Sequence, residues 1–180
     1  MFLNAKSNPL ETELSKCIHV GDQRTFEQDP KYALRLLVDI AVKALSPAIN
    51  DPTTAVQALD QIGDLLLRLG RRRVEIGTFR DSQGRVRVLI PFPSWDDFLR
   101  LAFDEIRSYG ATSMQVMRRM NALIRDMLPA VPPERRAALE HWQERLGSSI
   151  DRYFVDPEER REASTEDRQG FGVTRPRPAA

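Results

Sequence analysis

The chain has 180 residues, a hydrophobic fraction of 41% and a formal net charge of +1, which limits it to one domain with a sizeable core, or to one domain and a tail. The near-neutral charge excludes a bulk electrostatic attraction to nucleic acid or to an anionic membrane, although it is compatible with local basic patches. A single cysteine, Cys17, excludes an internal disulfide framework and is typical of a reducing compartment.

Helix starts of one kind recur along the first third of the chain. An asparagine or aspartate caps the helix, and a proline follows at its first position. Asn8-Pro9 predicts a short helix that ends near Gly21, where a glycine can adopt the left-handed conformation. Asp29-Pro30 and Asp51-Pro52 begin two longer helices in the same way.

These two longer helices, at about residues 30–46 and 51–70, are predicted to form a central antiparallel pair, because only five or six residues connect them. Both show apolar residues at three- and four-residue spacing. The stripe predicted for the first of them comprises Ala33, Leu36, Leu37, Ile40, Ala41, Ala44 and Leu45. That helix is too short and too charged to span a membrane, and the N-terminus lacks the apolar core of a secretory signal, so the sequence predicts a soluble chain in the cytoplasm.

From Arg71 the apolar period changes to two, which predicts a β-hairpin at about residues 73–90 with its turn at Asp-Ser-Gln-Gly. A two-stranded hairpin is marginal alone in water. We therefore expect it to lie against the helices, to join the sheet of a missing segment, or to pair with another chain. Its arginines lack the interleaved aromatic residues and the charge excess of a nucleic-acid surface, so no nucleic-acid partner is predicted. They are expected instead to pair with acidic residues or to guard a sheet edge against aggregation.

The remaining chain predicts three further helices. Ser94 to Asp97 resembles a capping box with aspartate in the place of the usual glutamate, and its helix stops at Gly110. A second helix begins at Thr112 or Ser113, and a third reaches Phe154. The fold class is therefore mainly α, with one helical domain at 1–155 and a mostly disordered tail at 156–180, in which one further helical turn can follow Asp156-Pro157.

The corner between the two long helices, with Ser46, Asn50, Asp51 and Thr54, is the best candidate for a site. Free backbone N–H groups at a helix start attract anions, which predicts a ligand site there. The competing interpretation is that Asp51 caps its own helix while Ser46 and Asn50 fix the turn. Because the Asp51 carboxylate already stands where a phosphate would bind, the structural interpretation is favoured.

A second interpretation groups Asp29, Asp39, Asn50 and Asp51 as oxygen ligands for a hard cation, which would suit a metal-assisted hydrolase or transferase. Against it, two of these aspartates are predicted caps, and Asp39 lies between Arg35 and Lys43 on a helix face that suits a salt-bridge stripe. No metal-ligand spacing, phosphate loop or nucleophile motif is present. The sequence therefore predicts no catalytic residue, no metal site and no cofactor.

Four segments carry a resemblance to a known family: R-T-x-x-Q-D-P at 24–30, L-V-D-I-A at 37–41, A-L-S-P at 44–47 and I-N-D-P-x-T-A at 49–55. They resemble the domain of unknown function 2254 family, which comprises bacterial predicted membrane proteins of the inner membrane. Ala48 replaces the family's usual glycine, and Lys43 its usual arginine.

The resemblance implies a soluble C-terminal domain of such a protein, with membrane association only through an upstream segment that this chain lacks. It implies no established activity. A non-enzymatic role in assembly, oligomerisation or ligand sensing is expected, with a homo-oligomer as the partner state. The candidate ligand-binding residues that the resemblance marks are Arg24, Gln28, Asp29, Asp39, Ser46, Asn50, Asp51 and Thr54.

Overall fold

The structure is a computed structural model that describes residues 29–74 and 76–170, together with Glu13 and Lys16. Apart from those two residues, the helix predicted between Asn8 and Gly21 lies outside the described residues, as do the candidate site residues Arg24 and Gln28. The described part is mainly helical and carries one two-stranded antiparallel sheet, which confirms the predicted fold class.

The described elements follow the predicted order along the chain. The helices are α1 (Pro30–Ala44), α2 (Pro52–Gly70), α3 (Trp95–Tyr109), α4 (Met114–Met127), α5 (Arg136–Tyr153) and α6 (Pro157–Ala163), and the strands are β1 (Thr78–Arg80) and β2 (Val86–Leu89). A short 3-10 turn, Pro133–Arg135, leads into α5.

Local capping chemistry sets the helix starts. The Asp29 carboxylate accepts a hydrogen bond from the Lys31 amide at 3.0 Å, and Asp51 caps α2 from the equivalent position. At α3, Ser94 and Asp97 form the predicted capping box, in which each side chain accepts from the other residue's backbone N–H. These caps satisfy N–H groups that would otherwise have no intrahelical partner.

Helices α1 and α2 pack as the predicted antiparallel pair, and the buried stripe of α1 agrees with the predicted one in part. Ala41 and Ala44 are buried as predicted. Leu34 and Val38 are also buried, whereas Leu36 and Ile40 are exposed. Both stripes satisfy the three- and four-residue spacing, because apolar residues occupy more than half of the helix circumference. The contacts of α1 with α2 and α3 select the stripe that is buried.

The helix at the centre of the described fold is α4, which contacts α2, α3, α5 and α6. One side of α4 contributes methionine, leucine and isoleucine side chains to the core. Phe103 of α3 and Trp142 of α5 pack edge to face in the same core, with ring centroids 5.6 Å apart, an arrangement that aromatic quadrupoles favour. The other side of α4 is polar and is also buried, at Arg118 and Asn121.

The segment after α5 covers this polar side of α4. The Asn121 amide donates to the Ser164 carbonyl at 2.5 Å, and the Gln115 amide donates to the Gly170 carbonyl at 2.6 Å. Arg125 forms an ion pair with Glu166 at 2.7 Å. A side chain every three or four residues along α4 therefore contacts the C-terminal segment.

Part of the segment predicted as a mostly disordered tail is therefore packed on α4. The helical turn allowed after Asp156-Pro157 is present as α6, and the chain stays packed as far as Gly170, with Asp167 buried. Residues 171–180 lie outside the described part. Hydrogen bonds to a polar helix face stabilise this segment, and a polar composition alone does not reveal that kind of contact.

Among the described helices, none has both the length and the apolar composition required to cross a bilayer.

Replacing Asn121 with alanine tests the contribution of the C-terminal segment. The Ser164 carbonyl would lose a donor that is itself buried, so we expect the free energy of unfolding to fall by about 1 kcal/mol. Urea denaturation followed by circular dichroism measures this change. Gln61→Ala, on the exposed face of α2, is the matched control and should leave the midpoint nearly unchanged; equal losses in both variants would contradict the assignment.

Candidate functional site

The predicted corner is a rigid turn between α1 and α2. The Asn50 amide donates to the Ser46 carbonyl at 2.8 Å, and the Asp51 amide donates to the Ala44 carbonyl at the same distance. Asn50 adopts a left-handed conformation with φ of 47°, which asparagine tolerates better than most residues. The residue in this special conformation is Asn50 and not Ala48, so alanine in place of the family's glycine is compatible with the turn.

At this corner the Asp51 carboxylate is engaged in capping. One carboxylate oxygen accepts from the Thr54 amide at 3.1 Å, and the other accepts from the Thr54 hydroxyl at 2.5 Å. The hydrogen bond from the Thr54 hydroxyl, followed by that from its amide, lowers the pKa of the Asp51 carboxyl. The carboxylate occupies the place where an anion would meet the helix start, so the geometry supports the capping interpretation.

The other candidate residues do not converge on the corner. Asp29 caps the opposite end of α1, about 20 Å from Asp51 at the usual rise of a 15-residue helix. Asp39 forms an ion pair with Arg35, as predicted from their spacing. Within residues 29–74 and 76–170, no three His, Cys, Asp or Glu side chains are grouped so as to share a metal ion.

Arg35 also reaches across to α3. Its two terminal nitrogens donate to the two carboxylate oxygens of Glu105 at 2.5 and 3.0 Å. These bonds, followed by the one to Asp39, raise the pKa of Arg35, and the hydrogen bonds from Arg35 lower the pKa of Glu105. The side chain that appeared in the sequence as part of a solvated stripe on α1 therefore joins two helices, a contact that its sequence spacing cannot reveal.

The hairpin is well formed and projects into solvent. Phe79 is paired with Val88 and Thr78 with Leu89, and every residue of both strands is exposed. The hairpin therefore does not lie against the described helices, and the two other expectations, the sheet of a missing segment or another chain, stay open. The large apolar side chains exposed on and beside it are Ile76, Phe79, Val86, Val88, Leu89, Ile90 and Phe92.

Only part of the hairpin's basic charge is neutralised. At the turn, Asp81 accepts hydrogen bonds from the Arg85 amide and side chain, each at 3.0 Å, and the amide bond is the main reason that the pKa of Asp81 is lowered. The predicted pairing of hairpin arginines with acidic residues is confirmed at Arg85. Within the described residues, Arg87 forms no ion pair.

A cavity of about 620 Å³ opens at the base of the hairpin. Arg71, Arg72 and Arg73 line it on the side where α2 ends, and Trp95 and Arg135 line it on the side of α3 and α5. Arg135 donates to the carbonyls of Leu69, Gly70 and Arg72 at 2.7–3.0 Å. Sequence reasoning missed Arg135, because its partners are backbone atoms more than 60 positions away.

Comparisons with known proteins find relatives of this chain by sequence. A family model described as "Predicted membrane protein (DUF2254)" matches residues 1–126. The uncharacterized protein Rv1290c of Mycobacterium tuberculosis H37Rv is 33% identical over 144 residues, and the uncharacterized protein Mb1321c of Mycobacterium bovis matches to the same extent. The match covers 79% of this chain but only 28% of each relative. No solved structure matches the chain.

The pH dependence of stability tests the assigned role of Asp51. The pKa of Asp51 is lower in the folded state than in the unfolded state. The cap therefore stabilises the fold at pH values above the unfolded pKa of about 3.9, and this contribution is lost as the pH falls through the folded pKa. We expect Asp51→Ala to lower the melting temperature at pH 7, and the difference from the unsubstituted protein to shrink towards pH 2.5. Circular dichroism melts across this range measure it.

Thr54→Val provides the matched control, since it removes the hydroxyl donor and leaves the Asp51 carboxyl in place. The stability of this variant should depend less on pH below 4 than that of the unsubstituted protein. A melting difference for Asp51→Ala that stays constant from pH 7 to 2.5 would rule out the ionised carboxylate as the cap.

Proposed function

The chain belongs to the family of predicted membrane proteins called domain of unknown function 2254, and we propose that its helical domain is a non-enzymatic assembly module that joins two copies through the hairpin. The observation that carries this proposal is the exposure of seven large apolar side chains on and beside two short strands. Apolar surface of this kind, concentrated on one projecting element, is typical of an interaction site.

The hairpin lacks what an isolated sheet needs. Two strands alone are marginally stable in water, and three or more strands or a packed face are usually required. Here Phe79 and Val88 occupy one face while Leu89 occupies the other, so both faces are apolar. A second sheet edge would supply backbone hydrogen bonds and shield these side chains at the same time.

The hydrogen bonds between β1 and β2 show which backbone groups of β2 point away from β1. The Ile90 amide donates to the Gly77 carbonyl at 2.7 Å, so these two residues form a hydrogen-bonded pair. Antiparallel ladders alternate, which makes Thr78 and Leu89 a non-hydrogen-bonded pair and directs the N–H and C=O of Leu89 away from β1. Leu89 is also the most exposed large apolar residue of the hairpin, at 72%.

Pairing around Leu89 is compatible with two-fold symmetry. Leu89 would exchange two backbone hydrogen bonds with Leu89 of a second copy, and Val88 would lie opposite Ile90. Arg87 would then lie opposite Pro91, so no like charges face each other, and Pro91 would end the ladder because it has no N–H. The same surface serves both copies, as a two-fold interface requires.

The metal-assisted alternative needs Asp29, Asp39, Asn50 and Asp51 close together. Their separation along α1 and at the start of α2 gives it no support. In the longer relatives, of which the match covers 28%, we expect membrane attachment to come through other segments. Attachment to one membrane would raise the effective concentration of the hairpins and favour their pairing.

Cysteine cross-linking tests both the assembly and its register. In a Cys17→Ser background, Leu89→Cys should form an intermolecular disulfide under mild oxidation, because paired residues at the two-fold axis have Cα atoms about 5.5 Å apart. Thr78→Cys is the matched control: it is exposed on the same hairpin and paired with Leu89. It should stay uncrosslinked, since its own copy would lie about three strand spacings away, roughly 14 Å.

Light scattering of the unsubstituted chain provides the second measurement. We expect a concentration-dependent dimer, and Leu89→Pro, which removes the outward N–H without touching the β1–β2 ladder, should shift it towards monomer. Equal cross-linking of both cysteine variants, or a strictly monomeric chain in which Leu89→Cys does not cross-link, would refute pairing through β2.

A further inference from the structure

We propose that the cavity at the base of the hairpin is an anion site that binds a phosphate-bearing ligand. This inference goes beyond assembly, because it concerns Arg71 to Arg73 and the cavity behind them and not the free edge of β2. The cavity volume of about 620 Å³ lies within the range of small-molecule sites, about 300–1,000 Å³.

Three adjacent arginines follow the end of α2 without an ion pair in the described part of the chain. Each described helix except α2 has at least one arginine that pairs with aspartate or glutamate, as Arg119 does with Asp60 and Arg145 with Asp104. Arg71, Arg72 and Arg73 are exposed and form no ion pair within residues 29–74 and 76–170. Three adjacent guanidinium groups without a carboxylate partner favour a multiply charged oxyanion, which guanidinium binds through paired hydrogen bonds.

The opposite wall of the cavity is fixed by Arg135 and Trp95. The Trp95 indole N–H donates to the Arg135 carbonyl at 3.3 Å, and the Arg135 guanidinium lies 5.5 Å from the centre of the indole ring. With its bonds to three carbonyls, Arg135 cannot move freely. A wall of this kind lowers the conformational cost of binding.

Arg135 also changes the electrostatics of the site. The C-terminus of a helix carries partial negative charge on its free carbonyls, and the end of α2 would repel an anion. By donating to the carbonyls of Leu69 and Gly70, Arg135 covers that end with a positive charge. On the other side, Trp95 and Asp96 at the start of α3 line the cavity, but the Asp97 carboxylate already caps this helix, so the positive charge of the site comes from the arginines.

Two carboxylates limit the charge that the site can accept. Asp96 and Glu134 line the cavity with the four arginines, so the lining keeps a net charge of +2. A neighbouring cavity of about 390 Å³ extends the basic surface, since Arg68, Arg71 and Arg72 line it with Asp64. The charge fits a phosphate monoester, a pyrophosphate or the headgroup of an anionic phospholipid, which share the same chemistry.

Isothermal titration calorimetry with inorganic pyrophosphate at low ionic strength tests the site directly. We expect one site per chain, and the triple variant R71Q/R72Q/R73Q should weaken binding by about tenfold or more. The matched control R80Q/R87Q/R152Q removes the same number of charges from exposed arginines that do not line the cavity. It should bind within about threefold of the unsubstituted protein, the small change expected of distant exposed charges.

A spectroscopic measurement keeps the test independent of variant stability. The chain has two tryptophans, and only Trp95 lines the cavity. In nitrogen-15 correlation spectra of the unsubstituted protein, pyrophosphate should shift the Trp95 indole signal and leave that of Trp142 in place. Equal shifts of both signals, or none with saturating pyrophosphate and lipid, would overturn the proposal.

Vesicle sedimentation distinguishes the two sources of phosphate. Vesicles of phosphatidylglycerol should retain the protein in an arginine-dependent way if the ligand is a lipid headgroup, whereas vesicles of phosphatidylcholine should not. Binding of pyrophosphate without vesicle retention assigns a free phosphate compound. If the control triple variant loses binding to pyrophosphate or to vesicles as strongly as R71Q/R72Q/R73Q does, net charge alone explains the effect. The cavity is then not a site.

Discussion

The contact on which both proposed surfaces depend is the one between Arg135 and the end of α2. Its guanidinium donates to the carbonyl groups of Leu69, Gly70 and Arg72, in the segment between the helix and the hairpin. Charged donors are the strongest partners available to such carbonyls. Without this contact the carbonyls of Gly70 and Arg72 would lose a charged donor, and the chain between α2 and β1 would be held less firmly.

From that fixed point the geometry of the hairpin follows. Val74 is buried and fixes the connection to the core, while a side chain at Gly77 would overlap the Ile90 carbonyl to which β1 is closely apposed. The hairpin is thus constrained at its base and free at its tip. This combination explains how seven apolar side chains can project into solvent from a well-ordered element, where a loosely attached hairpin would collapse onto the helices.

What the sequence could predict depended on the range of the interaction. The caps at Asp29, Asp51 and Ser94 involve residues two or three positions apart, and all three helix starts were correct. The stripe on α1 was wrong at Leu36 and Ile40, because two stripes satisfy the same spacing and only distant helices choose between them. The position of the corner at Ser46 to Thr54 was predicted correctly. The hydrogen-bond partners of its residues lie within the turn itself.

The features that escaped prediction share one physical cause. Arg135 contacts backbone carbonyls, Arg35 contacts Glu105 on another helix, and the polar side of α4 receives a polar segment more than 30 positions away. Polar contacts between distant segments leave no periodic pattern, since any arginine or asparagine in the sequence is equally compatible with solvent. Burial of apolar residues does leave such a pattern, which is why the helix pair could be found and the cavity could not.

The distribution of charge connects assembly with anion binding. Residues 71–93 contain six arginines and two acidic residues, although the whole chain has a net charge of only +1. Two-fold pairing at β2 would bring two such segments together, and exposed unit charges 4 Å apart repel by about 1 kcal/mol in water, with screening over about 8–10 Å in salt. In the proposed pairing Arg87 would be offset from its own copy, which would reduce this repulsion. An anion bound beside Arg71 to Arg73 would reduce it further, so occupancy of the cavity and pairing of the hairpins would favour each other.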